Sequence, residues 1–323
     1  MTAQRYVRPA LTVAILVAVA NAAYGYLTSP LATPLSASVL GQSIVSGLLM
    51  GFVYALIAVG LTLLWGLMEI VNFAHGEFLM LAMYATFWMA VLFGLDPIVS
   101  LPISAAILFA VGVIVYKGII GRVLRGPMLA QIVATFGLGV FLRSSAQFLW
   151  SPDYRVIQHP ILEGRIGLPG DIFLSRSMVV ASIAALAVFG GLYWFVTRTE
   201  VGLAIRATSE DRDAAALMGI SSERIFTLGW GIGALCVGVA GSLLANFFYV
   251  FPSVGFLFGL ISFVAVALGG FGSIIGALIA GVIIGLVESL AGILIDPALK
   301  YLAVYSMYLL VVIVRPQGFF GRY

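Results

Sequence analysis

What most constrains this chain is a series of apolar stretches, each about 18 residues or more, that recurs along its whole length. One of them, "GLLMGFVYALIAVGLTLLWGLM", occupies residues 47–68 without a single charge. A helix rises about 1.5 Å per residue, so about 20 such residues cross a hydrocarbon core of about 30 Å. Sixty-two per cent of the 323 residues are hydrophobic, 9% are charged and the mean hydropathy is +1.15. Soluble domains carry about half apolar residues, so this balance places the chain in a bilayer. A transmembrane barrel would show short segments of alternating polarity, and none is seen. The expected fold is all-α, a polytopic transmembrane helical bundle with no soluble domain of useful size.

With Pro, Gly and charge as punctuation, membrane segments fall near 9–28, 41–66, 77–94, 98–116, 127–150, 177–197, 224–248, 257–271, 274–295 and 300–314. That is about ten helices. If the N-terminus is cytoplasmic, the inner segments hold eleven of the sixteen basic residues: Arg5, Arg8, Lys117, Arg122, Arg125, Arg198, Arg206, Arg212, Arg224, Arg315 and Arg322. The outer segments receive Arg155, Arg165, Arg176 and Lys300, each with an acidic residue nearby, and Arg143 is left within a helix. This asymmetry predicts that both termini are cytoplasmic. Arg5, Arg8, the following apolar run and Ala20-Asn21-Ala22 also have the form of a signal peptide. Cleavage would leave nine helices and the same orientation downstream. Residues 1–40 are accordingly set apart from a main transmembrane domain over 41–323.

Small residues recur at a spacing of four in two segments, as Gly47, Gly51 and Ala55 and as Ala277, Gly281, Gly285 and Ser289. Such stripes let neighbouring backbones approach closely, so these faces should meet protein. The lone Cys236, among Gly and Ala, reads as a small core residue. The chain has no phosphate-binding G-x-x-x-x-G-K-[ST] loop, no zinc motif and no G-x-S-x-G elbow. His75 and His159 share no constellation, and no metal site is expected. These absences favour a transport protein over a membrane-embedded enzyme.

The longest inner loop, 200–223, should be largely helical. Ser209 is placed to cap it with Glu210 and Asp211 in the first turn, Ala214 to Met218 are good helix formers, and Gly219 is placed to end it. On helix physics alone, a solvated connector fits as well as a docking element. The segment Asp213-Ala214-Ala215-x-x-x-Gly219 resembles the E-A-A-x-x-x-G loop of ABC importer permeases, with Asp in place of Glu and without the downstream Ile and Leu-Pro of the fullest motif. Three longer stretches, "GLLMGFVYALIAVGLTLLWGLMEIVNFAHGEFLML" (47–81), "GLAIRATSEDRDAAALMGISSERI" (202–225) and "ALGGFGSIIGALIAGVIIGLVES" (267–289), together with the ending "VRPQGFFGR" (314–322), resemble the permeases of branched-chain amino acid ABC importers of the H type. The resemblance covers residue 41 to the end.

It implies a permease subunit in a bacterial inner membrane, with a homologous second permease, two ABC ATPase subunits, a periplasmic substrate-binding protein and lipid as partners, and no nucleic acid. It also implies no cofactor on this chain, since ATP and magnesium would sit on the ATPases. Glu210, Asp213, Ala214, Ala215 and Gly219 become the expected coupling residues. Sister families carry sugars, urea or short amides, so the substrate stays open, as does a secondary transporter or channel working without an ATPase.

The motif Asn72-Phe73-Ala74-His75-Gly76-Glu77-Phe78 reads as a break between two helices, with Asn72 able to cap the second. Broken helices offer a positive N-terminus and free backbone groups to polar ligands. Asn72, His75, Gly76 and Glu77 are therefore candidates for the transport path or its gate. The alternative is a rigid elbow in which these polar groups satisfy one another. Counting spans puts the motif near the inner surface. A similar break, with Gly269, Gly270, Gly272 and Ser273, is the expected counterpart in the second half. Glu288 and Arg143 lie within membrane segments, where an unpaired charge costs about 3 kcal/mol. Glu288 needs a partner in the fold or in another subunit, unless it relays protons. Arg143 could snorkel to an interface.

Overall fold

The computed structural model describes residues 36–124, 126–158 and 160–321. The segment 9–28, its signal-like features, Arg5, Arg8, Arg125, His159 and Arg322 lie outside the described residues.

The central helix is α1, Ala37–Met68, whose first turn is capped by the Ser36 hydroxyl accepting from the Val39 amide. It is apolar all round, and every residue from Val53 to Leu64 is buried, as expected of a helix surrounded by protein. The next helices are α2 (His75–Phe93) and α3 (Pro97–Val115); Gly94 ends the former in a left-handed conformation, and Asp96 with Pro97 starts the latter. A π turn at Tyr116–Ile120 and a last helical turn at Gly121–Val123 prolong α3. There follow α4 (Met128–Trp150), a two-stranded antiparallel hairpin of β1 (Arg165–Leu168) and β2 (Ile172–Ser175), and α5 (Arg176–Arg198). Two short helices, α6 (Glu200–Glu210) and α7 (Arg212–Leu217), lead into α8 (Ser222–Leu244). The chain closes with α9 (Val254–Gly269), α10 (Ile274–Leu294), a 3-10 turn at Pro297–Leu299 and α11 (Lys300–Val314).

Among the described residues, eight helices are long and apolar enough to cross a membrane, so the all-α polytopic bundle is realised. The expected span 257–271 is not a full one. Its helix, α9, has 16 residues and is about 24 Å long, short of a core of about 30 Å.

The two small-residue stripes meet each other. A Cβ on Gly47 would lie 2.7 Å from the Gly285 carbonyl oxygen, one on Gly51 2.7 Å from Val282 Cα, and one on Gly281 2.6 Å from the Ala55 nitrogen. The helices α1 and α10 thus run antiparallel with their backbones in contact, and the Ser289 hydroxyl donates to the Ser43 carbonyl at 2.8 Å. On the other side of α1 lies α8, also antiparallel, with Gly60 against Gly233 and Leu67 against Gly229. A buried hydroxyl cluster of Thr86, Ser104 and Ser242, at 2.8 to 3.0 Å, ties α2, α3 and α8 together. Cys236 is 1% exposed and packs as the small core residue the sequence suggests.

This order places 199–221, 270–273 and 315–321 on one face of the bundle, and 94–96, 151–175, 245–253 and 295–299 on the opposite face.

Candidate transport site

After Met68 the chain does not pass out of the bundle. Glu69 adopts a left-handed conformation (φ 53°), and residues 69–74 turn back along α1. The Asn72 side-chain oxygen accepts from the Ala74 amide at 3.1 Å, which fixes the turn two residues ahead of the helix. His75 then opens α2, and its Nε2 donates to the Ile57 carbonyl at 2.9 Å, since a carbonyl only accepts. Ile57 lies eleven residues before the end of α1, about 16 Å along the helix axis. The start of α2 therefore sits at mid-depth, not near the surface where counting spans puts it.

The second re-entry is made by residues 245–253, which return from the opposite face to Val254. There α9 begins against the first turn of α2. A Cβ on Gly76 would lie 1.9 Å from the Gly255 carbonyl oxygen, and one on Gly255 2.5 Å from the Gly76 oxygen, so only two glycines permit this crossing. From this contact α2 runs toward one face and α9 toward the other. Each half is a long helix, a re-entrant segment and a second helix, in opposite senses; α2, with 19 residues, is long enough to span, and α9, with 16, is not. Both α2 and α9 turn their positive N-terminal ends to the middle of the bundle. The partner of the 72–78 break in this arrangement is thus 253–255, and not 268–273.

Glu77 sits in this crossing with 2% exposure. Its Oε1 accepts from Arg143 Nε of α4 at 3.0 Å and more closely from Nη2. Oε2 is buried without a partner and faces Gly255, whose Cβ would lie 2.7 Å away. Arg143 does not snorkel; it is held at mid-helix, 31% exposed, with its guanidinium 5.2 Å from the centre of the Phe256 ring. Asn72 satisfies the backbone of the break itself, at Ala74, as the elbow reading has it, whereas His75 and Glu77 find their partners on α1 and α4 and not in one another. Thr135, which no motif singles out, donates to the Val71 carbonyl at 3.0 Å and secures the re-entrant segment to α4.

Gly269, Gly270, Gly272 and Ser273 are placed on the face that carries 199–221, away from the 72–77 crossing. The C-terminal segment closes over them, with Phe319 donating to Leu268 at 2.7 Å and Phe320 to Gly269 at 3.1 Å. Gly272 packs on Gly66, and the Ser273 hydroxyl caps α10 by accepting from the Gly276 amide at 3.1 Å. Beside them opens a cavity of about 950 Å³, lined by Trp65, Glu69, Arg206, Glu210 and Phe271 among others.

Residues 200–219 form two helices, not one. Ser209 lies inside α6, and the cap of the second helix is Asp211, whose Oδ1 accepts from the Asp213 and Ala214 amides at 2.9 Å. Gly219 ends that helix in the left-handed conformation (φ 85°), as expected. Ala215 is buried, whereas Glu210, Asp213 and Ala214 are exposed. At the tip Leu217 and Met218 are 90% and 83% exposed, an apolar pair that the motif reading passed over.

Glu288 has its partners within the chain. Tyr54 donates to Oε2 at 2.5 Å and Lys300 to Oε1 at 2.6 Å, which joins α1, α10 and α11. Among the described residues, no group of three His, Cys, Asp or Glu side chains is placed to hold a metal ion.

Apolar spanning helices, two opposed helices whose N-terminal ends meet at mid-depth, and an intramembrane ion pair joining one of them to α4 define a polytopic membrane transport protein. Residues 43–314 match the family described as branched-chain amino acid transport system / permease component, and the chain belongs to that family. It is 32% identical over 300 residues to the high-affinity branched-chain amino acid transport system permease protein BraD of Pseudomonas aeruginosa, covering 87% of this chain and 95% of that one. The corresponding protein LivH of Salmonella typhimurium is 31% identical over 298 residues, again with 87% and 95% coverage. A probable branched-chain amino acid transport permease protein LivH of Methanocaldococcus jannaschii is 29% identical over 282 residues, covering 82% and 88%.

Proposed function

We propose that this chain is the permease subunit of an ATP-driven importer that passes branched-chain or other hydrophobic amino acids across the inner membrane. Two ABC ATPase subunits, a homologous second permease and a periplasmic binding protein complete the assembly, and both termini are cytoplasmic. The observation that carries the reading is the helical handle of α6 and α7. Gly202 seats α6 directly on the backbone of α5, where a Cβ would lie 2.2 Å from the Phe195 oxygen, so a push on the handle reaches a spanning helix. Its tip presents Leu217 and Met218 bare, with Asp211 and Gly219 fixing the last helix between a cap and a left-handed stop. Two exposed apolar side chains on a capped, rigid tip suit docking into a cleft of another protein.

On this reading the ATPases supply the energy and this chain holds no nucleotide. Their closure moves α6 and α7, and the movement shifts the balance between outward-open and inward-open forms. Asn72, His75, Gly76 and Glu77 line or gate the path where α2 and α9 meet. Gly269, Gly270, Gly272 and Ser273 act at its inner end beside the large cavity. The loop 151–176, on the face opposite α6 and α7, receives the binding protein.

The test is leucine uptake and ATP hydrolysis by the complete assembly in proteoliposomes, with Leu217→Asp and Met218→Asp introduced together. Uptake should fall at least about tenfold, because a charge placed in a desolvated contact costs more than about 1.4 kcal/mol. ATP hydrolysis should no longer respond to the loaded binding protein. Undiminished uptake, or uptake by the permease without ATPases, would replace this reading by a self-powered carrier.

A further inference from the structure

The Glu77–Arg143 pair is only half used. Nε and Nη2 of Arg143 both go to one oxygen of Glu77, so three of the five guanidinium N–H groups have no partner from that pair. The Arg143 side chain is 31% exposed at mid-depth, a position where a cation is costly against lipid and marks a substrate path or a buried partner. Around it the face is apolar: Phe256 lies under the guanidinium, and Phe136, Val140 and Leu260 are 60%, 46% and 37% exposed. The positive ends of α2 and α9 converge on the same place, which raises its potential further. A charge-bearing donor set ringed by aliphatic and aromatic side chains suits a ligand with one carboxylate and one apolar tail.

We infer that Arg143, between α4 and α9, is the carboxylate-binding residue of the transport path, with Phe256, Val140 and Leu260 forming the wall for the apolar side chain. Glu77 is then a positioning residue: it orients the guanidinium and leaves the outward N–H groups free. The inference rests on the importer reading for the identity of the natural ligand. The carboxylate chemistry stands on Arg143 itself.

The experiment places a cysteine at Val140, one helical turn from Arg143, and measures its labelling by a small thiol reagent in the assembled transporter. Cys236 is buried and serves as the unlabelled background. Saturating isovalerate should slow labelling about fivefold by occupying the site, whereas isoamylamine, the same carbon skeleton with an aminomethyl group in place of the carboxylate, should not. The paired variant Glu77→Gln with Arg143→Gln removes both charges together and strands neither, so it should assemble yet lose this protection. Arg143→Lys should retain part of it. Equal protection by isoamylamine, protection that persists in the paired variant, or no protection by any carboxylate would overturn the inference. In that last case, continued leucine uptake by the same preparation would leave the importer reading standing. Protection by isovalerate without uptake of any amino acid would keep the carboxylate site and discard the importer's substrate. Loss of assembly in the paired variant but not in Arg143→Lys would assign the cation to subunit contact and also overturn the inference.

Discussion

At the residue scale, two glycines and one ion pair decide the centre of the molecule. The crossing of α2 and α9 exists because Gly76 and Gly255 have no side chains. Gly76→Val should therefore prevent folding of a monodisperse protein, since overpacking that side chains cannot relieve costs upwards of about 3 kcal/mol. Size-exclusion chromatography after membrane extraction measures it. The ion pair is asymmetric. Arg143→Gln strands the carboxylate of a residue that is 2% exposed, whereas Glu77→Gln strands the cation of a side chain that is 31% exposed. Removing one partner of a buried pair costs about 3 to 5 kcal/mol, so Arg143→Gln should lower the melting temperature more than Glu77→Gln. The paired variant should recover part of the loss. Additive losses, with the paired variant losing the sum of the two single shifts, would show that the pair contributes nothing. The polar residues of 72–78 were visible in the letters, but the partners of His75 and Glu77 were not: Ile57 and Arg143 lie 18 and 66 positions away, and hydropathy carries no information about which helix faces which.

At the element scale, the handle shows how local chemistry and context divide the work. Helix formers, an acidic start and a closing Gly219 were legible, because caps and left-handed stops are local. The break at Asp211 was not, because Ser209 and Asp211 are equally good caps and the choice depends on α6 packing against α5 through Gly202. Asp211→Ala should loosen α7 by about 1 kcal/mol while leaving the spanning helices intact. Faster amide exchange over 212–218, with unchanged melting of the whole protein, is the expected result. The same contrast holds for α9. Its apolar letters mark a membrane segment, but its length falls short because 249–253 is drawn inward with Val250 paired to Arg155.

At the scale of the whole molecule, the bundle is assembled by close backbone contact along α1. The α1–α10 seam is uninterrupted from Ser43 to Ala55, and Glu288 closes it with Tyr54 and Lys300. Lipid offers no hydrophobic gain for joining two helices, so close packing and interhelical hydrogen bonds must hold them. Gly51→Leu should therefore separate α1 from α10 and abolish accumulation in the membrane. The same substitution at Gly190, where no atom lies within 4 Å of an added Cβ, should be tolerated. Comparing the amounts of extracted, monodisperse protein checks both.

Residence in a bilayer, the helical class, the two small-residue stripes and the handle follow from the amino-acid sequence alone, because each rests on composition or on spacing within a few turns. Tertiary structure decided the depth of the breaks, the meeting of α2 with α9 and the pairing of Glu77 with Arg143. The physical reason is that a hydrocarbon environment demands that every backbone break and charge be satisfied by some neighbour. Which neighbour it is depends on contacts between residues tens or hundreds of positions apart, and no local pattern encodes that choice.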